Sequence, residues 1–144
     1  MPGLVLPAYF SYYKSPVKME AAPDGGIRAW RLSHETGGWQ PADDLIEEIL
    51  FAVGGEISPL TVQSFVQWTE QDRGRYLKGE GPVFALYETV HAIVQGAQAE
   101  GRRLSDRELA MVRGIRRRTF VLFETQLMEA GDPAADPSLG AGEE

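Results

Sequence analysis

Cysteine and asparagine are absent from this chain, and lysine occurs only three times against eleven arginines. Without cysteine there can be no disulfide scaffold, no thiolate nucleophile and no cysteine-ligated zinc, so stability must come from packing. That composition suits a reducing compartment, and a cytoplasmic protein is expected. Two histidines, His34 and His91, leave almost no material for a nucleophilic triad or for zinc hydrolysis. Long apolar runs are also missing. The opening MPGLVLPAYFSYY is apolar, but Pro2 and Pro7 break it and no positive charge precedes Lys14, so it fits neither a signal peptide nor a spanning helix and no membrane is expected as a partner. Lys78-Gly79-Glu80-Gly81 is glycine-rich yet lacks the Gly-Lys-Ser/Thr ending that lets a loop cradle phosphates.

What the chain does have is charge asymmetry. Seven of its eleven arginines fall between Arg102 and Arg118, and with Asp106 and Glu108 the window carries +5 in a chain of formal charge −7, leaving −12 elsewhere. Clustering raises the local potential well beyond what net charge suggests, so one face attracts an anionic partner or an acidic part of the same protein.

At 144 residues, with 43% hydrophobic and 24% charged, the composition fits one globular domain, expected over residues 1–131. Residues 9–40 read as β ribbon. Val17 to Ala22 and Ile27 to Ser33 flank Pro23-Asp24-Gly25-Gly26, whose glycines supply the positive φ that a tight hairpin needs, and a second turn follows at His34 to Gly38. Residues 43–130 read as helical. Asp43 and Ser58-Pro59 mark the first two helix starts, with the first helix ending at Gly54-Gly55. Gly81-Pro82 marks the third, and Ser105 with Glu108 forms a capping-box pattern for the fourth. The fold class expected is α+β: an N-terminal antiparallel hairpin or short meander packed on a bundle of about four helices. Residues 132–144, rich in Pro, Gly and Ala and net negative, are expected to be a disordered acidic tail.

Three constellations bear on function. On the fourth helix, at 100° per residue, Arg107, Arg117 and Arg118 lie off the apolar stripe and Arg113 sits at its edge. Arg116 lands inside it, among Val112, Phe120 and Phe123, and is expected first to bridge to a carboxylate in the core, the alternative being that it points into a polar opening. Asp43, Asp44, Glu47 and Glu48 put two carboxylate pairs at i, i+4 spacing, which can hold Mg²⁺ through water but also suits the positive end of a helix. Glu88 and His91 have the i, i+3 spacing of helical metal sites, without the further converging carboxylates those need. No cofactor or metal is expected.

The scarcity of catalytic material, the bipolar surface and the aromatics point first to a non-catalytic protein-binding module, an accessory subunit, adaptor or small inhibitor. It would meet a protein partner or a second copy of itself through Tyr9, Phe10, Tyr12, Tyr13, Trp30 and Trp39, or through Arg107, Arg113, Arg116, Arg117 and Arg118. The second reading is a nucleic-acid or polyanion binder using the Arg102–Arg118 face, which the sequence pI of 4.9 opposes. The third is a metal-dependent phosphoester or diphosphate enzyme built on Asp43, Asp44, Glu47 and Glu48.

Overall fold

The computed structural model describes residues 4–51 and 55–141. Strands β1 (Ala8–Tyr12), β2 (Ser15–Ala21), β3 (Ile27–Leu32) and β4 (Trp39–Pro41) form an antiparallel meander. A 3₁₀ turn (Asp43–Leu45) and a short helix, α1 (Ile46–Phe51), follow; strand β5 (Ile57–Leu60) then returns to pair with β1, giving the sheet order β4-β3-β2-β1-β5. Three longer helices complete the chain, α2 (Val62–Tyr76), α3 (Pro82–Ala99) and α4 (Asp106–Glu129). The protein is therefore α+β, an N-terminal antiparallel sheet packed on helices.

Alternation along the strands sorts the sheet into two faces. Phe10, Val17, Met19 and Ala29 point to one side, where Leu45, Ile46 and Ile49 cover them. Tyr9, Trp30, Leu32 and Trp39 point to the other, against Phe65 of α2. Outside α2 and α4, helix α3 contributes Val83 and Tyr87 to a cluster with Phe123. The capping box at Ser105 and Glu108 forms reciprocally, as the spacing requires.

Two helix starts are corrected. Ser58-Pro59 opens no helix: Pro59 sits opposite Phe10 in the edge strand β5, where the missing N–H leaves no ladder bond unmade, and Thr61 caps α2 by accepting from the Ser64 N–H. Asp43 caps nothing either; its carboxylate accepts from the Ala29 N–H at 2.8 Å and pairs with Arg28 at 3.0 Å, tying the 3₁₀ turn to β3. Gly54, expected at the end of the first helix, lies outside the described residues.

The β1–β2 turn is two residues long and both have positive φ, 47° at Tyr13 and 70° at Lys14. That geometry suits a tight hairpin but costs a bulky side chain energy that Asn-Gly would not incur. Trp68 of α2 holds it from outside by donating its indole N–H to the Lys14 carbonyl at 2.9 Å. Replacing Tyr13-Lys14 by Asn-Gly is expected to stabilise the fold by about 1 kcal/mol. A thermal midpoint that falls instead would show that the exposed Tyr13 ring contributes more than the backbone strain removes.

The carboxy-terminal segment departs most from expectation. Residues 132–141 are ordered against the sheet and α4, ending in a 3₁₀ turn at Pro137–Ala141. Lys18, in the centre of the sheet face and fully buried, donates to the Ala134 carbonyl. The Trp39 N–H donates to Asp132, and the Asp136 N–H to Glu124. Gly140 packs so closely on α4 that a Cβ there would meet Phe120 and Val121 at 2.9 Å. A composition with little to bury is held by its backbone. Residues 142–144 lie outside the described part.

Candidate functional site

Seven arginines in one window drew attention to α4, but the arginine at the heart of the protein is Arg73 of α2. Its side chain is fully buried and bridges Glu70, at 2.7 Å, and Glu124, while Nε donates to the Gly37 carbonyl. Tyr87 donates to the second oxygen of Glu70 at 2.8 Å, and Trp39 donates its indole N–H to Glu124. The Arg73 guanidinium lies 4.3 Å from the Phe123 ring centroid. Burial pushes the Glu70 carboxyl above its usual range, with Arg73 opposing; burial also works against the Arg73 charge, but the two carboxylates outweigh it and hold that pKa up. The polar ends of this cluster meet one another, the Gly37 carbonyl or the Asp136 N–H, so it is a structural knot that fastens α2, α4 and the His34–Gly38 turn together.

For Arg116 the first expectation is corrected and the alternative stands: it has no carboxylate at ion-pair distance among the described residues and lines an opening instead. Glu70 acts on it only from farther off, and partial burial presses its pKa down. Its side chain lines a cleft of about 560 Å³ between α2 and α4. Arg113 and Arg117 line it too, with Val62, Leu109 and Leu139 as apolar walls and Trp68 at one side. Helix α2 lines the cleft with Gln63, Gln67 and Gln71 beside Val62, Val66 and Trp68, so an arginine in the apolar stripe of α4 meets a partly polar opening. Gln67 fixes the spacing of the two helices by donating to the Arg113 carbonyl at 3.0 Å.

The structure therefore brings together three of the five arginines singled out in the sequence. Arg107 and Arg118 are exposed and away from the cleft. Arg102 is taken up by Glu100 and Glu108, both at 2.7 Å. Of the aromatics, Phe10, Trp30 and Trp39 belong to the core, with at most 7% exposure, and offer a partner no surface. Tyr9 is half-buried against Phe65, and Tyr12 is half-buried and donates to Glu48. Only Tyr13 is open, at the hairpin tip that Trp68 holds. His34 stacks on Tyr76 and contacts Asp72 at 3.0 Å, while Glu88 and His91 are exposed on α3.

The other wall of the cleft has a sequence signal of its own. Gln63, Gln67 and Gln71 recur at i, i+4 and i+8, a continuous amide stripe down α2 beside Trp68. That period was readable and would have paired α2 with the arginine stripe. No protein-family model matches the sequence, and no curated protein and no solved structure is significantly similar to it.

Proposed function

We propose that the protein is a non-catalytic binding module whose α2–α4 cleft receives an acidic segment of a protein partner. The observation that carries this reading is Arg116: a partly desolvated guanidinium without an ion pair among the described residues, flanked by Arg113 and lined on either side by apolar and amide groups. An arginine withdrawn from water costs energy until a carboxylate meets it, and a protein segment that carries one recovers that cost on binding. Apolar walls at Val62, Leu109 and Leu139 favour a polypeptide, which has side chains to place there. A nucleic-acid footprint would want a broad basic stripe, whereas this cleft is short and belongs to a chain of net charge −7.

The test is retention of a native partner. Protein purified from its own host should carry a partner that Arg113→Gln/Arg116→Gln loses by at least about tenfold, the scale expected for losing one or two charge-assisted contacts. The variant should keep its fold, since neither side chain has an ion pair to break among the described residues. Equal retention by both proteins counts against the cleft. Binding of a labelled single-stranded oligonucleotide that weakens steeply with salt would move the reading to a polyanion binder.

A further inference from the structure

The cleft's arginines are spaced i, i+3 and i+4 at Arg113, Arg116 and Arg117, with Leu109 one turn before them. On the opposite side of the sheet, Asp44, Glu47 and Glu48 repeat the same i, i+3, i+4 spacing, with Phe51 one turn after them. All four are exposed, Phe51 to 74%. Leu45, Ile46 and Ile49 anchor the other face of this short segment in the core, so the acidic side is held outward. Glu48 accepts from the Tyr12 hydroxyl at 2.7 Å, while Asp44 and Glu47 have no ion pair or hydrogen bond from their side chains among the described residues.

Resting on the reading of the cleft as a receptor for acidic polypeptide, we propose that a second copy of this chain can fill it, docking its Asp44–Phe51 face on the Leu109–Arg117 face of α4. Run antiparallel, the two stripes match turn for turn: Phe51 beside Leu109, Glu47 and Glu48 beside Arg113, Asp44 beside Arg116 and Arg117. The matching residue spacing brings each pair together, with Glu47, Glu48 and Phe51 on the α-helical turn and Asp44 on the 3₁₀ turn before it. The two surfaces differ and lie on opposite sides of the sheet, so each docked copy still offers an empty cleft or a free acidic face. Such a contact is head-to-tail and grows by addition. Because Asp44, Glu47, Glu48 and Arg113 are exposed, it is weak and screened by salt, and Phe51 supplies its apolar anchor.

Light scattering and sedimentation at low ionic strength test this. The wild-type mass should climb from 15.9 kDa as concentration rises about a hundredfold, by mass action, and return to that of the monomer in molar salt. Arg113→Glu spoils the cleft and Glu47→Arg spoils the acidic face, and both side chains are exposed, so folding is not at issue. Each variant alone should stay monomeric. Mixed in equal amounts they should associate again, because the intact acidic face of the first fits the intact cleft of the second and the two reversed charges, which face each other in the proposed contact, are opposite in sign. Phe51→Ser should weaken the wild-type association. Association that survives both charge reversals, or a variant mixture that remains monomeric, overturns the proposal. A wild-type chain that is monomeric throughout overturns it as well, and leaves the binding-module reading standing where partner retention still depends on Arg113 and Arg116.

Discussion

Arg73→Ala should cost on the order of 4 kcal/mol, the scale for removing one partner from a buried ion network. The substitution leaves Glu70 and Glu124 facing each other across an emptied, fully buried site and deprives the Gly37 carbonyl of its donor. For a chain of this length such a loss is a large part of the total stability and lowers the thermal midpoint by roughly 10–20 °C. The effect has a pH signature. Glu70 is held above its ordinary value of 4.5 by burial, and Arg73 is the largest influence pulling it back. A carboxyl whose folded-state pKa is raised binds its proton more tightly in the folded than in the unfolded chain. Its ionisation therefore destabilises the fold progressively as pH rises from about 4.5 through the folded pKa. Without Arg73 that pKa climbs further, so the deficit of the variant should shrink as pH falls towards 5. Glu70→Gln, which keeps an oxygen for Tyr87 and removes one of the two carboxylates, should restore much of the midpoint when combined with Arg73→Ala. Thermal melts of the three variants at two pH values decide the matter. A loss below about 1 kcal/mol would mean that water reaches the site.

The contrast between Arg73 and Arg116 shows what the sequence could and could not reveal. Where a structural device is local, its signature is local too. The Ser105–Glu108 box, the Asp24-Gly25-Gly26 turn and the Pro82 helix start were readable because each is a short-range contest for backbone hydrogen bonds. Tyr9 and Phe10 part to opposite faces of the sheet as strict alternation demands. Ser58-Pro59 was ambiguous, because an edge strand and a first helical turn both tolerate a residue without an N–H. Glu70 and Arg73 look, at i, i+3, like any exposed helical pair. Only Glu124, fifty-one positions from Arg73, and Tyr87 make them a core, and nothing in α2 alone announces those partners. The stripe of α4 lies where its spacing predicts, with Val112, Phe120 and Phe123 buried. What Arg116 meets depends on which side of α2 is turned towards it, a fact of tertiary packing.

Deleting residues 132–144 should be the second severe change, although composition alone gives this segment nothing to hold on with. Its attachment runs through main-chain groups, which no side-chain pattern records. The Ala134 carbonyl receives Lys18, the Asp136 N–H reaches Glu124, and Asp132 takes the Trp39 N–H. Each is worth about 1 kcal/mol, somewhat more where a charge takes part. Ala134 closes the cluster of Trp30, Trp39 and Phe65, and half-buried Leu139 packs beside it. Burial of these groups adds about 1–2 kcal/mol. Removing the segment uncovers Lys18 in the middle of an apolar sheet face, so the sum should lie at roughly 3–5 kcal/mol, with a fall of about 10–20 °C in the thermal midpoint. Water reaching Trp39 should shift tryptophan emission to the red, and the uncovered sheet face should make the shortened chain prone to aggregate. A chain ending at Ala141 keeps every one of these contacts and is expected to melt with the full-length protein. Lys18→Met removes the charge-assisted bond to Ala134, and with it the 3.3 Å pair with Glu20, but leaves the apolar cover in place, and should cost less than the deletion. A deletion variant whose midpoint stays within a few degrees of the full chain would show that the segment adds no net stability to the sheet and α4.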